Sequence, residues 1–274
     1  MIFKTTLWVM TFSLSFVASV ANSNSLAGSY LAGSNAAMRG DYVAASKYFA
    51  ETLVKDPKNE FIKHNAMLST LSMGEVDTAI KYAKDISSNS NNSHLVDLLL
   101  FIDFIKDEKF ISASNLLEKN KENYTELLYG LLKGWTSLGQ GKMSLVLKTF
   151  DEMDSNSTLQ IFGQYHKALA LAAVGDFGSA DKILLGNSEG SLRFTRGSLI
   201  AHAQIMAELS RKNDALELIN TIALEGQDAE FDQLRKKIQS GLSHYDYITS
   251  SKQGIAEVLF TIAFALNGSE NDQT

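Results

Sequence analysis

Apolar residues return along this chain at a fixed interval. A small or medium side chain stands at Ala45, Ala79, Ala113, Val146, Ala180 and Ala215, and an apolar one stands four residues later at Phe49, Ala83, Leu117, Phe150, Leu184 and Ile219. A spacing of four keeps both residues on one face of a helix. Neighbouring copies lie 33 to 35 residues apart. Each follows a turn signal: Gly40-Asp41, Gly74-Glu75, Glu108-Lys109, Gly141-Lys142, Gly175-Asp176 and Ser210-Arg211. About 12 residues make a helix near 18 Å long, so two helices and two short turns use up one period. The pattern predicts stacked helix pairs. The first helix of a pair ends at Gly40, Gly74, Gly141 or Gly175, where a left-handed cap is least strained for glycine. The alanine lies where the two helices cross, and a larger side chain would force them apart. Asp56-Pro57-Lys58-Asn59 stops the second helix of the first pair. One pair cannot cover its own apolar faces, so its neighbours must stack on it.

Past residue 224 the period fades. Glu225–Gln239 reads as a polar amphipathic helix with Phe231, Leu234 and Ile238 on one stripe, and Ser243–Ser251 as a loop that tucks Tyr245, Tyr247 and Ile248 against the last pair. Gln253–Leu266 reads as a strongly apolar helix, with Ile255, Val258, Leu259, Ile262 and Phe264 spread nearly all round. Such a helix wants neighbours on more than one side. A terminal cap would instead turn a polar face outward. Two covers fit: a second subunit, giving self-association through 253–266, or further repeats in a longer chain.

The first segment has the layout of a secretory signal peptide. Lys4 precedes the 14-residue apolar run Leu7–Val20, and Ser19-Val20-Ala21 supplies the small residues of a cleavage site. The run is shorter than the roughly 20 residues a membrane span needs. The chain thus divides into a leader (1–21), a repeat region (26–224), C-terminal helices (225–267) and a polar tail (268–274). Composition narrows the functions. With no Cys among 274 residues, a disulfide scaffold, a thiol nucleophile, an iron–sulfur or Cys-ligated zinc site and a lipidated N-terminal cysteine are all excluded, so the chain is not a lipoprotein. One Pro favours helices over a loop-rich β fold. The formal charge is 25 − 31 = −6. Removing the leader takes one Lys and no acid, which gives 24 − 31 = −7. Such a surface repels nucleic acid.

With these residues in register the chain resembles the tetratricopeptide-repeat family. Gly33, Ala45, Phe49 and Pro57 match the family pattern in the first repeat. Later repeats lack the closing Pro, and the third carries Glu108 where the turn prefers Gly. A pentatricopeptide reading, with its 35-residue period and RNA ligand, conflicts with the acidic charge and the leader. The order of segments is similar to that of longer bacterial envelope proteins of the family, in which the helix carrying Gly254-Ile255-Ala256-Glu257 opens further repeats. The resemblance covers 26–224. It implies an all-α fold: a right-handed superhelix of about six helix-turn-helix repeats, with the C-terminal helices added. By family convention the first helices line the inner face, which places Tyr30, Phe61, His64, Leu68, Leu131, Trp135, Phe162, Tyr165 and Leu169 in a groove. Aromatic residues there suit an anchor pocket for a protein or peptide. The Lys, Asn and Arg clamp with which some family grooves hold a terminal carboxylate is not among them. The implied function is a non-enzymatic scaffold, periplasmic, with a protein partner and no cofactor. The alternative is a structural accessory of a polysaccharide-export or outer-membrane assembly machine, docking through the C-terminal helix.

Catalytic spellings do not hold up. Gly186-Asn187-Ser188-Glu189-Gly190 fits G-x-S-x-G but follows a helix, where a nucleophile elbow needs a strand. Gly139-Gln140-Gly141-Lys142 lacks the first Gly and the final Ser or Thr of a phosphate loop, with Thr136 and Met143 in those places. His64, His94, His166, His202 and His244 form no i, i+4 pair and read as surface or partly packed. Asp151, Asp154 and Asn156 lack the EF-hand spacing. Catalytic and metal residues are therefore expected to be absent. Asn91, Asn123, Asn156 and Asn267 head glycosylation spellings that matter only in a eukaryotic secretory path.

Overall fold

The computed structural model describes residues 25–87, 93–153, 157–186, 196–221, 223 and 226–271. The leader 1–21, the serine of G-x-S-x-G, Asp154 and Asn156 lie outside the described residues. Among the described residues all regular structure is helical, and no helix is long and apolar enough to cross a membrane. The chain divides into two compact units, 1–88 and 89–274.

Unit 1 holds two helix pairs: α1 (Leu26–Met38) with α2 (Tyr42–Lys55), and α3 (Glu60–Ser72) with α4 (Val76–Ser87). Side chains start these helices where the pattern put turns. Ser25 Oγ accepts from Gly28 N at 2.9 Å, Asp41 Oδ1 from Ala44 N at 3.0 Å and Asn59 Oδ1 from Ile62 N at 3.2 Å. Ala45, Phe49, Ile62 and Ala66 form the core, with Tyr30 and Leu53 half-buried against it.

Unit 2 continues with four pairs: α5 (His94–Lys106) and α6 (Phe110–Lys119), α7 (Glu126–Gly139) and α8 (Met143–Glu152), α9 (Ser157–Ala173) and α10 (Phe177–Gly186), α11 (Arg196–Glu208) and α12 (Lys212–Asn220). A 3-10 turn, Lys121–Asn123, follows α6. Two further helices close the unit, α13 (Ala229–Ser240) and α14 (Ser251–Asn271).

The turn inside each pair is built the same way six times. The second residue past the first helix is left-handed at Gly40, Gly74, Gly141 and Gly175, with φ from 73° to 86°. Glu108 and Ser210 adopt the same region without being glycine, at φ 55° and 61°. The next amide reaches back five residues to close the cap: Asp41 to Ala36, Glu75 to Thr70, Lys109 to Phe104, Lys142 to Ser137, Asp176 to Leu171 and Arg211 to Met206, all at 2.8–3.0 Å. The third and sixth copies therefore share the backbone of the other four.

Within a pair, side-chain volume is shared between two buried positions 16 residues apart. The couples are Gly33/Phe49, Met67/Ala83, Phe101/Leu117, Gly134/Phe150 and Ala168/Leu184. Where the first helix has no side chain, the second supplies a phenyl ring. A Cβ on Gly33 would lie 3.0 Å from the Phe49 ring, and one on Gly134 2.4 Å from Phe150. In these two couples the ring fills the space the glycine leaves, as close packing demands, whereas Phe101/Leu117 is large at both positions.

The end of the chain departs from the pattern in one respect. α13 buries Phe231, Leu234 and Ile238 on one stripe, as the spacing predicts, and ends at left-handed Gly241. The loop after it buries Tyr245 and Ile248. It is strapped along α11, where Tyr245 N donates to Glu208 Oε1 at 2.7 Å and Asp246 N to Gln204 Oε1 at 3.1 Å. α14 is longer than the expected 253–266: it begins at Ser251 and runs through Gly268 to Asn271, into the segment read as a polar tail. It packs on α7 and α9 through the buried stripe Gly254, Ile255, Glu257, Val258 and Thr261, while Phe260 stays 57% exposed.

Candidate functional site

The repeat register lets first-helix positions be compared directly. Leu68 on α3 corresponds to Trp135 on α7 and Leu169 on α9; Tyr30 and His64 correspond to Leu131 and Tyr165; Phe61 corresponds to Phe162. In unit 2 these positions meet. Leu131, Trp135, Tyr165 and Leu169 belong to one buried cluster together with Ile255 and Val258 of α14. The face assigned to a partner is here occupied by the chain's own last helix. Phe162 is half-buried at its edge.

Gly254 permits the close approach. A Cβ at this position would lie 2.1 Å from Trp135 Cε3, so the indole rests on bare backbone. One turn further, Glu257 takes two phenols: Tyr165 Oη donates to Oε1 at 2.7 Å and Tyr247 Oη to Oε2 at 3.0 Å. Burial raises the Tyr247 hydroxyl above its ordinary range, and the adjacent carboxylate adds to this. At the start of α14, Lys252 Nζ donates to the Lys106 carbonyl at the end of α5, at 3.0 Å.

The indole also holds a buried histidine. Trp135 Nε1 donates to His166 Nδ1 at 3.0 Å, with the rings edge to face at 87°. That bond assigns the neutral ring's proton to Nε2. Nε2 is buried without a hydrogen-bond partner among the described residues. Desolvation pushes the His166 pKa down to about 3.

In unit 1 the same positions are open. Phe61 is 62% exposed and Leu68 47%, while Trp135 and Leu169 are 0%. Tyr30 and His64 are half-buried, and the Tyr30 and Phe61 rings lie 6.1 Å apart. Phe61, His64 and Leu68 follow i, i+3, i+7 spacing on one side of α3.

Sequence reasoning missed the buried polar groups. His166 and His202 are buried, not surface residues. His202 Nε2 lies 3.0 Å from Asp181 Oδ1, and Arg211 NH1 lies 2.6 Å from Asp181 Oδ2, which ties α10, α11 and α12 together. Asp97 is fully buried and accepts from Asn123 Nδ2 at 2.6 Å, pinning the 3-10 turn to α5. Arg235 is buried on α13 against Asp232, Asn220 and the Ala223 carbonyl. These groups join helices that no local pattern pairs. Each reads as an interhelix tie.

A cleft of about 650 Å³ beside the 3-10 turn is lined by Lys121, Tyr124, Tyr129, Lys133 and Met153 among others. Lys121 and Lys133 sit 4.9 and 5.2 Å from the Tyr129 ring centroid. Glu118 pairs with Lys133 at 3.0 Å, so that ammonium is already matched. Gly139-Gln140-Gly141-Lys142 is the capped turn between α7 and α8, not a phosphate loop. No group of His, Asp and Glu among the described residues is arranged to hold a metal ion. Comparison with protein-family models and with curated proteins returns no match.

Proposed function

We propose that this chain is a tetratricopeptide-repeat scaffold of the bacterial envelope, binding a segment of another protein on the first-helix face of unit 1. Support for the repeat reading comes from the six capped turns at one period and from the shared volume of the paired core positions. Support for export comes from the leader pattern of residues 1–21. In this reading the chain performs no chemistry and needs no cofactor. The right-handed superhelix belongs to the same proposal. The observation that carries it is the exposure of Phe61 and Leu68 beside Tyr30, at positions whose counterparts in unit 2 are covered. Large apolar side chains grouped on one face are the usual anchors of a protein partner. The accessory reading has less support, since α14 spends Gly254, Ile255 and Val258 inside unit 2.

The test is site-specific crosslinking in the cell that makes the protein. A photoreactive amino acid replaces Phe61 in one strain and Val54, an exposed residue of the second helix α2, in another. A discrete adduct from position 61 in the periplasmic fraction, absent at 54 and lost with Leu68→Ala, is the expected result. Identical adducts at both positions, or none at either, would overturn the groove assignment.

A further inference from the structure

Three side chains that grip α14 are each held from behind by residues outside it. Trp135 is fixed by its bond to His166 Nδ1 at 3.0 Å. The Tyr165 ring rests against the His166 ring, with centroids 5.2 Å apart. Tyr247 belongs to the strap, which is bonded to α11 through the amides of Tyr245 and Asp246. Its hydroxyl lies over Gly197 of α11, where a Cβ would run into it. None of these supports comes from α14, so the two phenols that meet on Glu257 stay aimed at one point when that carboxylate is withdrawn. A face ordered in advance is what a binding site needs, because it avoids the cost of ordering on association. α14 itself fills the face imperfectly. Thr261 Oγ1, on its buried stripe, has no hydrogen-bond partner among the described residues, and an unmade buried bond weakens the contact. The helix is entered through Thr249 and Ser250, exposed residues between buried Ile248 and buried Ser251. Thr249 N donates to Gln253 Oε1 at 2.8 Å, in the first turn of α14, so that bond travels with the helix. A hinge at this point lifts α14 and leaves the strap on α11.

We propose that α14 is an internal stand-in for a partner, and that the face of α7 and α9 is a second protein-binding site which it holds shut. The partner is an amphipathic helix of another protein. It sets a glycine on Trp135, a carboxylate between Tyr165 and Tyr247 one turn on, and an apolar residue in the place of Thr261. The glycine is required because the indole lies against bare backbone. The carboxylate is required because two buried phenols need an acceptor. Tethered α14 competes at high effective concentration, so an outside helix binds with an affinity reduced by the fraction of open chains. A second copy's α14 is the poorer occupant, since exchange brings the same unpaired hydroxyl and gains nothing. The site is separate from the one on unit 1, and each stands without the other.

The test uses the full mature chain and a fluorescent synthetic helix of residues 251–266 carrying Thr261→Val, read by anisotropy. Saturable binding is expected. Glu257→Gln is then placed on either side. In the chain it loosens α14 and should tighten peptide binding about tenfold; in the peptide it should weaken binding about tenfold. Lys252→Ala in the chain, at an exposed position bonded to the Lys106 carbonyl, should tighten binding about threefold without threatening the fold. Gly254→Ala in the peptide makes a better helix, yet should abolish binding because its methyl group meets the indole. Opposite signs for one substitution are what competition for a single face produces. If α14 is fixed core, the peptide binds none of the three chains. That result, or binding that Glu257→Gln in the chain leaves unchanged, overturns the inference. Concentration-dependent dimers of the chain alone also overturn it, by making a second copy the occupant. The crosslink at position 61 reads unit 1 alone, so failure here leaves the scaffold reading standing.

Discussion

Leu68 in unit 1 and Trp135 in unit 2 hold the same place in the repeat, and one is half exposed while the other is sealed. The difference does not come from the repeat. Both stand on a first helix with a left-handed cap behind it and an apolar partner helix beneath it. It comes from α14, which begins at Ser251, far downstream of both helices, and packs on α7 and α9. A repeat thus specifies a face, and sequence outside the repeat decides whether that face is core or surface. The largest effect that would break this comparison is energetic. Trp135→Ala removes a fully buried indole and should cost about 3–5 kcal/mol, while Leu68→Ala should stay within about 0.5 kcal/mol of wild type. Urea denaturation of the two variants measures both, and equal costs would mean that the two faces do not differ.

The paired volumes allow a sharper test, because both units use the same device. Gly134→Ala drives a methyl group to 2.4 Å from the Phe150 ring, whereas Gly33→Ala meets Phe49 at 3.0 Å. The first should cost about 3 kcal/mol and the second about 1 kcal/mol. Adding Phe150→Leu to Gly134→Ala recreates the Ala168/Leu184 couple and should recover most of the loss in a thermal melt. If Phe150→Leu makes the variant worse, the two positions do not share volume.

Glu257→Gln isolates the polar latch of α14. The amide keeps the shape but loses the charge and one of two acceptors, so one phenolic O–H is left without its acceptor. A cost of about 2 kcal/mol follows. Hydrogen exchange should quicken at Gly254–Val258 and stay unchanged in α2 and α3. Uniform acceleration would show that α14 does not open on its own.

His166 connects the same contact to pH. Its folded-state pKa is pushed down to about 3 by burial, from an unfolded value near 6.5. Between those values the unfolded chain binds a proton that the folded chain refuses. Stability is therefore complete above about pH 6.5 and falls as pH drops, by up to about 1.4 kcal/mol per pH unit. Urea midpoints from pH 6.5 to 4.5 should decline more steeply for wild type than for His166→Gln, which still offers an oxygen to Trp135 but does not titrate. Parallel lines would place the pH response elsewhere.

The helices, their order and their caps could be read in advance because they are local. Apolar spacing within a helix and a turn signal at its end need no knowledge of the rest of the chain. The register of the first-helix residues was readable for the same reason, so Leu131, Trp135, Tyr165 and Leu169 do come together. What covers them was not. The pattern of 253–266 says that the helix is apolar on several sides but carries no address for α7 and α9. The buried polar residues were hidden by a related limit. His166, Asp97 and Arg235 look like surface residues until Trp135, Asn123 and Asn220 are brought beside them, 31, 26 and 15 positions away along the chain. One signal was available: Gly254 in a helix otherwise rich in large apolar residues marks a close backbone approach.

The smallest effect separates the backbone of the repeat from its side chains. Glu108 and Ser210 close the third and sixth turns in the left-handed region, where a Cβ crowds the following carbonyl and the other four copies use glycine. Glu108→Gly and Ser210→Gly should each stabilise unit 2 by about 1 kcal/mol, despite the extra freedom glycine gives the unfolded chain. The reverse change in unit 1, Gly74→Ser, should cost a similar amount, because nothing lies within 4 Å of a Cβ there and only the backbone objects. Opposite signs in the two units would show that one cap geometry underlies both, with the same strain wherever glycine is missing. If Glu108→Gly destabilises instead, the third turn is held by contacts of the Glu108 side chain, and the six turns are alike in geometry but not in cause.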